Sequence, residues 1–287
     1  MNAPDASDDP TPLALPRVPR LRVACAMQSD TGCVRQHNED AVGCMIPRDD
    51  DPLALAGALA VVADGMGGHA AGEVASHIAL RSMLHVYYAS AGPPPQALAA
   101  ALVAANDAIC ERAGADPACK GMGTTCSVVA IVDDRAYVAH VGDSRIYLLR
   151  GTAFRQLTQD DSVVARMVRD GLLTEAEARR HPERHVLVRV LGTKEFRPAV
   201  APRGMPLQHG DLLVLCTDGI TDQIDDATLA SVVRSHAPVD ACTKLVELAR
   251  EAGGADNATV AICSLQAEPL AAQPDPSIRT TRETRAH

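Results

Sequence analysis

Aromatic residues are nearly missing from this 287-residue chain, which has four tyrosines, two phenylalanines and no tryptophan. That excludes a stacking platform for single-stranded nucleic acid, and the core must be assembled from Val, Leu, Ile and Ala. Basic charge is also short. Twenty-seven Lys and Arg stand against 36 Asp and Glu, a formal charge of −9, which leaves no footprint for DNA, RNA or an anionic membrane. No apolar run reaches the ~18 residues of a membrane span, and no secretory signal is expected at the start. The nine cysteines include no Cys-x-x-Cys pair, so a thiolate zinc motif is not expected. Buried, reduced thiols in a reducing compartment are expected instead. The reading is a soluble cytoplasmic protein, with apolar residues at 47% ample for a core.

Against these absences stands one stretch, Gly57–Gly68, GALAVVADGMGG. Small and β-branched residues from Ala58 to Ala63 read as a buried strand ending in Asp64 and Gly65, with Gly67 and Gly68 close behind. A carboxylate left unpaired at the mouth of a buried strand is costly, so a positive group is expected against it. The pattern recurs at Asp211–Gly219 (DLLVLCTDG), at Arg135–Arg145 (RAYVAHVGDSR) and in mirror image at Asp256–Cys263 (DNATVAIC). Asp64, Asp143, Asp218 and Asp256 therefore read as one carboxylate cluster, which wants divalent metal. Taken singly, each aspartate reads as a turn or cap residue; joint placement makes the case.

Residues 1–20 read as a disordered leader and 266–287 as a disordered tail, leaving 21–265 as one domain. Leu21–Met27 is expected as a strand, Gln28–Asp40 as a loop carrying Arg35, Asn38, Glu39 and Asp40, and Ala41–Ile46 as a short strand. Helices are expected at Gly72–Ser90 and Pro95–Arg112. Strands at Gly123–Val132, Ala136–Val141, Arg145–Leu149 and Phe154–Leu157 read as successive antiparallel hairpins. The charged stretch 159–185, with Thr174 and Glu177 spaced for a capping box, reads as a flap over a site or as an ordinary helical hairpin. Strands at Val186–Leu191, Ala199–Ala201, Asp211–Cys216 and Asn257–Leu265, with helices at Asp225–Ser235 and Val239–Ala252, complete the pattern. The expected architecture is an α+β sandwich with antiparallel sheets inside, helices outside and one acidic edge.

Other chemistries fail on specific residues. Gly65–Ala70 fits the G-x-G-x-x-A of a dinucleotide fold, but that fold needs an acidic residue about 20 positions on, and none lies between Glu73 and Asp107. There is no G-x-x-x-x-G-K-[ST], no Cys-x5-Arg and no Gly-Asn-His-Glu.

Seven motifs stand in a fixed order: Arg35-x-x-Asn38-Glu39-Asp40, Ala63-Asp64-Gly65-Met66-Gly67-Gly68-His69, Gly121-Met122-Gly123-Thr124-Thr125, Val141-Gly142-Asp143-Ser144-Arg145, Leu157-Thr158-x-Asp160-Asp161-Ser162, Cys216-Thr217-Asp218-Gly219 and Asp256-Asn257-Ala258-Thr259. In that order the chain resembles the bacterial PP2C-like (PPM) serine/threonine phosphatases from about Leu21 to Leu265. The resemblance implies an α-β-β-α sandwich, two central antiparallel sheets flanked by helices. It also implies a dinuclear site for Mn²⁺ or Mg²⁺, with Asp64 bridging, the Gly65 carbonyl on one ion, and Asp218 and Asp256 on the other. A third, weaker ion would use Asp143 with Asp218. Hard oxygen ligands suit these ions, and a water held between two of them becomes a nucleophile toward phosphoserine or phosphothreonine.

Arg35 would clamp the phosphate, its alternative role being a salt bridge to Glu39 or Asp40. Glu39 would act through metal-bound water, Asp40 would support the ligands, and Thr124, Thr125 and Asn257 would orient the site. Animal relatives place a His two residues after the bridging Asp. Here Met66 stands there, so the proton donor to the leaving group is unassigned, with His69 a nearby candidate. Expected partners are phosphorylated proteins, among them a Ser/Thr kinase and its substrates, met by a monomer. Two readings of other kinds are an inactive phosphoprotein-binding pseudophosphatase, which the filled ligand positions oppose, and a partner-switching phosphatase acting on an anti-sigma antagonist, which usually carries a sensor domain.

Overall fold

The computed structural model describes residues 21–67 and 70–268. The expected leader, residues 269–287 of the expected tail, and Gly68 and His69 lie outside the described residues. In chain order the strands are β1 (Leu21–Asp30), β2 (Asp40–Met45), β3 (Ala58–Met66), β4 (Gly123–Thr124), β5 (Cys126–Val132), β6 (Arg135–Val141), β7 (Arg145–Arg150), β8 (Ala153–Gln156), β9 (Met205–Pro206), β10 (Leu212–Cys216) and β11 (Ala258–Ala267). The helices are α1 (Ala70–Ala89), α2 (Pro94–Ala115), α3 (Val163–Arg169), α4 (Glu175–Ala178), α5 (Asp218–Thr221), α6 (Asp226–Ser235) and α7 (Pro238–Glu251). One sheet runs β1-β11-β10-β7-β8; the other runs β2-β3-β5-β6-β9, with β4 beside β3. Every strand pair is antiparallel.

Three apolar layers follow from strand alternation. Leu59, Val61 and Ala63 of β3 pack outward against α1 and α2, which present Ala75, Ala79, Leu98, Leu102 and Ile109. Val214, Val260 and Ile262 pack outward against α6 and α7. Between the sheets, Ala58, Ala60 and Val62 meet Ile146, Leu213, Leu215, Ala261 and Cys263. Because side chains alternate along a strand, Asp64 continues the inward row of β3 and Asp40 that of β2. The inter-sheet layer is apolar in its body and acidic at one end.

Five expectations need correction. The Gly57 strand does not end at Asp64 and Gly65; it runs to Met66, and Asp64 sits inside the ladder opposite Asp40. The turn after β6 is not a hairpin, since β7 pairs with β10 and β8 in the other sheet. Alternation shows which face is buried but not which strand is the partner. Gly142, at φ 104°, makes this crossing, and its carbonyl and amide both meet Asp161. Val186–Leu191 and Ala199–Ala201 form only single bridges, at Ser162–Leu187, Thr124–Leu191 and Ala139–Val200. Half-exposed Val186 and Val188 have the alternation of a strand without a neighbour to pair with. Two short elements, β9 and α5, are too brief for a periodic signal. Finally, β11 continues through Gln266 and Ala267, two residues past the expected boundary.

Candidate metal and phosphate site

The acidic end of the inter-sheet layer is built from both sheets. Asp64 is held by its backbone: its amide donates to Thr125 Oγ1 (2.9 Å), and its carbonyl accepts from the Thr125 amide (2.9 Å) and Thr124 Oγ1 (2.8 Å). The Thr125 hydroxyl lies 2.7 Å from that of Ser144, beside the crossing. At Gly65 any side chain would run into the carbonyls of Gly72 and Glu39, so glycine is required by close approach. Gly72 is equally constrained, because a β-carbon there would meet the Glu39 carboxylate.

Opposite Asp64 across the ladder stands Asp40, and like charges so placed repel. Asp40 Oδ2 accepts from the Thr217 hydroxyl (2.9 Å), whose oxygen accepts from the Thr259 amide (3.1 Å). Its Oδ1 is buried with no hydrogen-bond partner, and burial pushes this carboxyl up to about 7. Asp218 repeats the pattern: Oδ1 is buried without a partner, and burial with repulsion from Asp222 and Asp256 raises the group to about 6. Asp64 is driven well above the carboxylate range by burial and by Asp218, Asp40 and Asp143. Burial and then Asp218 do the same to Asp143.

The last ligand candidate arrives on the loop before β11. Asp256 accepts from Arg35 at 2.8 Å, an ion pair whose side chains are 50% and 36% exposed. The salt-bridge alternative for Arg35 thus has Asp256 as its partner rather than Glu39 or Asp40. Asn257 ties this loop to the one bearing Arg35: its Oδ1 accepts from the Glu39 amide (2.8 Å), and its Nδ2 donates to the carbonyls of Thr31 (3.0 Å) and His37 (2.9 Å). Among the described residues, Arg35, Glu39, Asp40, Asp64, Asp218, Asp256 and Asn257 thus lie at one end of the sandwich, although they come from chain positions more than 200 residues apart, while the candidate His69 falls outside the described residues.

Beside the carboxylates lies a cavity of about 550 Å³, lined by Asp143, Asp218 and Asp222 and, from the 159–185 segment, by Arg169, Arg179 and Arg184. The segment holds the helices α3 and α4, and Thr174 and Glu177 form the expected capping box. Asp160 anchors its start through a two-pronged pair with Arg145 (2.7–3.1 Å). His185 stands 3.6 Å from Asp222 at its far end.

The sequence profile described as Protein phosphatase 2C matches residues 35–258, the span between Arg35 and the start of β11. The chain belongs to the protein phosphatase 2C family. Within the family it is 38% identical over 242 residues to the serine/threonine protein phosphatase PstP of Mycobacterium tuberculosis, a match covering 84% of this chain but only 44% of that protein. It is 36% identical over 249 residues to the protein phosphatase PhpP of Streptococcus pneumoniae, covering 85% and 98%. Among solved structures, the M. tuberculosis phosphatase PstP/Ppp superposes with a TM-score of 0.76 at 37% identity, covering 86% of this chain and 99% of that one. A PstP catalytic domain in complex with two manganese ions gives 0.75 at 35% identity, with the same coverage.

The residues present fit such ions. The donor set is all oxygen, as hard divalent cations require, and two buried carboxylate oxygens, on Asp40 and Asp218, have no hydrogen-bond partner among the described residues. Mutually raised carboxyls are what a bound cation would relieve. Sequence reading missed Thr217 and Thr259, which hold Asp40 from behind, and Asp222, which sits one helical turn after Asp218. The four-residue spacing of Asp218 and Asp222 was the available signal for the latter; the threonines stand in two of the seven motifs, but nothing local shows that they serve Asp40.

Proposed function

We propose that this chain is a metal-dependent protein serine/threonine phosphatase, acting on phosphoserine and phosphothreonine in proteins and using Mn²⁺ or Mg²⁺. The carrying observation is the buried carboxylate cluster with two orphaned oxygens and a half-exposed arginine at its rim. Two bound ions supply Lewis acidity, acidifying water and stabilising in-line displacement at phosphorus. Asp64 would be shared between the ions, with the Gly65 carbonyl and Glu39 serving one, and Asp218 and Asp256 the other. Asp143 with Asp218 would serve a third. Asp40 supports Asp64 and Asp218 from behind, held in place by Thr217. Thr124 and Asn257 fix the backbone on which the ligands stand.

Arg35, now paired with Asp256, would fork onto two phosphate oxygens, and a cation held by Asp256 would compete for that carboxylate. The segment 159–185 covers the cavity beside the cluster, where the polypeptide around the phosphorylated residue would lie. A kinase of matching specificity is the expected counterpart, and a monomer is the working unit. No ligand position is vacated, so no observation favours an inactive binding protein.

Hydrolysis of p-nitrophenyl phosphate and of a phosphothreonine peptide, with and without Mn²⁺, tests the reading. Activity should require the ion, vanish with chelator and survive thiol alkylation. Asp64→Asn and Asp256→Asn should each remove it from a folded protein; retained activity in either sinks the metal assignment. A folded wild-type chain inert with every divalent ion would shift the reading to phosphoprotein binding.

A further inference from the structure

Cysteine has no part in the site above, yet the fold gathers three of them. Cys25 on β1 and Cys263 on β11 are directly opposed in the ladder, their sulfurs 3.5 Å apart. Cys44 reaches in from β2 of the other sheet, and the three Sγ atoms all lie within 4.8 Å of one another. β1 and β2 are the edge strands of their sheets, so the cluster sits at the open side of the sandwich. Cys25 and Cys44 are half-buried there, and Cys263 is buried. Val23, Val42 and Leu265 surround them in the inter-sheet layer.

The spacing favours a shared ion over a disulfide. A disulfide needs sulfurs at about 2.05 Å and α-carbons within about 7 Å. Packed sheets stand about 10 Å apart, so bridging from Cys44 would drag backbone. A bond between the directly opposed Cys25 and Cys263, which are within α-carbon range, would leave Cys44 out, whereas an ion engages all three sulfurs. Thiolates about 2.3 Å from one cation stand roughly 4 Å from each other, between the 3.5 Å of the Cys25–Cys263 pair and the 4.8 Å that bounds the cluster. Among the described residues no histidine or carboxylate joins it. Soft thiolates select zinc or monovalent copper, and zinc asks for four ligands. We propose that Cys25, Cys44 and Cys263 form a binding site for a thiophilic d¹⁰ cation, with monovalent copper preferred over zinc. Hydrogen bonds from Cys25 and Cys263 pull the Cys44 thiol down, so one ligand is already disposed to be a thiolate. Hydrogen bonding to Cys25 and Cys44, together with burial, pushes Cys263 up, so loading releases protons. The site is four residues along β2 from Asp40, about 13 Å at strand rise, and is separate from the oxygen ligands.

The test is anaerobic titration of the reduced full chain with monovalent copper against the chelator bicinchoninate. One equivalent should bind per chain, with a thiolate-to-copper absorption band. Copper should also shield Cys25, Cys44 and Cys263 from iodoacetamide in peptide mass spectrometry, while exposed Cys33 and half-buried Cys110 still label. Cys44→Ser should weaken copper by more than about 100-fold, since loss of even outer partners of a metal typically costs 10–100-fold. Cys33→Ser should change nothing. Mn²⁺-dependent hydrolysis checks that each variant is folded, and Cys25→Ser on the edge strand replaces Cys44→Ser if the latter is not. Unchanged affinity in the variant, protection of Cys33 or Cys110 instead, or displacement of copper by equimolar zinc would each overturn the proposal.

Discussion

Arg35 is the residue whose role the structure sharpens most. It stands half-exposed at the rim, its charge facing Asp256, Glu39 and Asp64. A charge-assisted hydrogen bond to an ionised partner contributes about 1.5–3 kcal/mol, so Arg35→Ala should lower kcat/KM by roughly 10- to 150-fold. Lysine carries the charge but not the fork, so Arg35→Lys should recover only part of that loss. Steady-state kinetics on a phosphopeptide decide it, and an unchanged KM and kcat in the alanine variant would reduce Arg35 to a strap on Asp256. Single residues of this kind were legible in the sequence. Asp64, Asp143, Asp218 and Asp256 each close or open an apolar run, which is a local signal. Thr217 and Thr259 were not legible, because their importance lies in facing Asp40 from the opposing sheet, and that is a fact of docking alone.

At the scale of elements, the decisive contact is between the start of α1 and the loop before β2. Gly72 lets the helix backbone press against Gly65 and Glu39, with no room for a methyl group. Gly72→Ala must push the Glu39 carboxylate aside or tilt α1. Displaced ligand support costs about 10–100-fold in metal affinity, so the Mn²⁺ concentration for half-maximal activity should rise at least tenfold while the protein stays folded. Metal-dependence curves of the two proteins read this directly, and superimposed curves would remove Glu39 from the ligand set. The long elements were readable: α1, α2, α6, α7, β3, β5 and β11 carry clear periodicity. The segment after 186 misled, because its valines alternate as in a strand but the segment meets other parts of the fold at single bridges only. The β6–β7 crossing misled for a related reason, since a Gly-Asp turn serves a hairpin and a change of sheet alike.

For the whole molecule, the carboxylate cluster makes stability depend on pH and on ions. Asp40 and Asp218 are raised to about 7 and about 6 in the folded chain, above the usual 3.8. Between those limits the folded state holds more protons than the unfolded, so metal-free stability is highest at acid pH and falls as pH rises through 6–7. The Tm of chelated protein should therefore drop between pH 5 and pH 8. Adding Mn²⁺ should reverse most of that drop, since a ligand at 100 times its Kd stabilises by about 2.7 kcal/mol. Thermal melts across pH, with and without the ion, show it; a chelated protein as stable at pH 8 as at pH 5 would mean that the carboxyls are relieved by other means.

The crossing at Gly142 spreads the ligands over both sheets, and the ordering of the chain then governs when the centre can first exist. Arg35, Glu39, Asp40 and Asp64 leave the ribosome early, but the loop that brings Asp256 and Asn257, just ahead of β11, emerges only after α7. A nascent chain stopped just short of residue 256 carries the other proposed ligands but lacks the Asp256–Arg35 pair and the Asn257 bonds that tie the two loops together. On the proposed ligand set, competence arrives in a single late step of synthesis, and products terminated before Asp256 are expected to be inert rather than partly active.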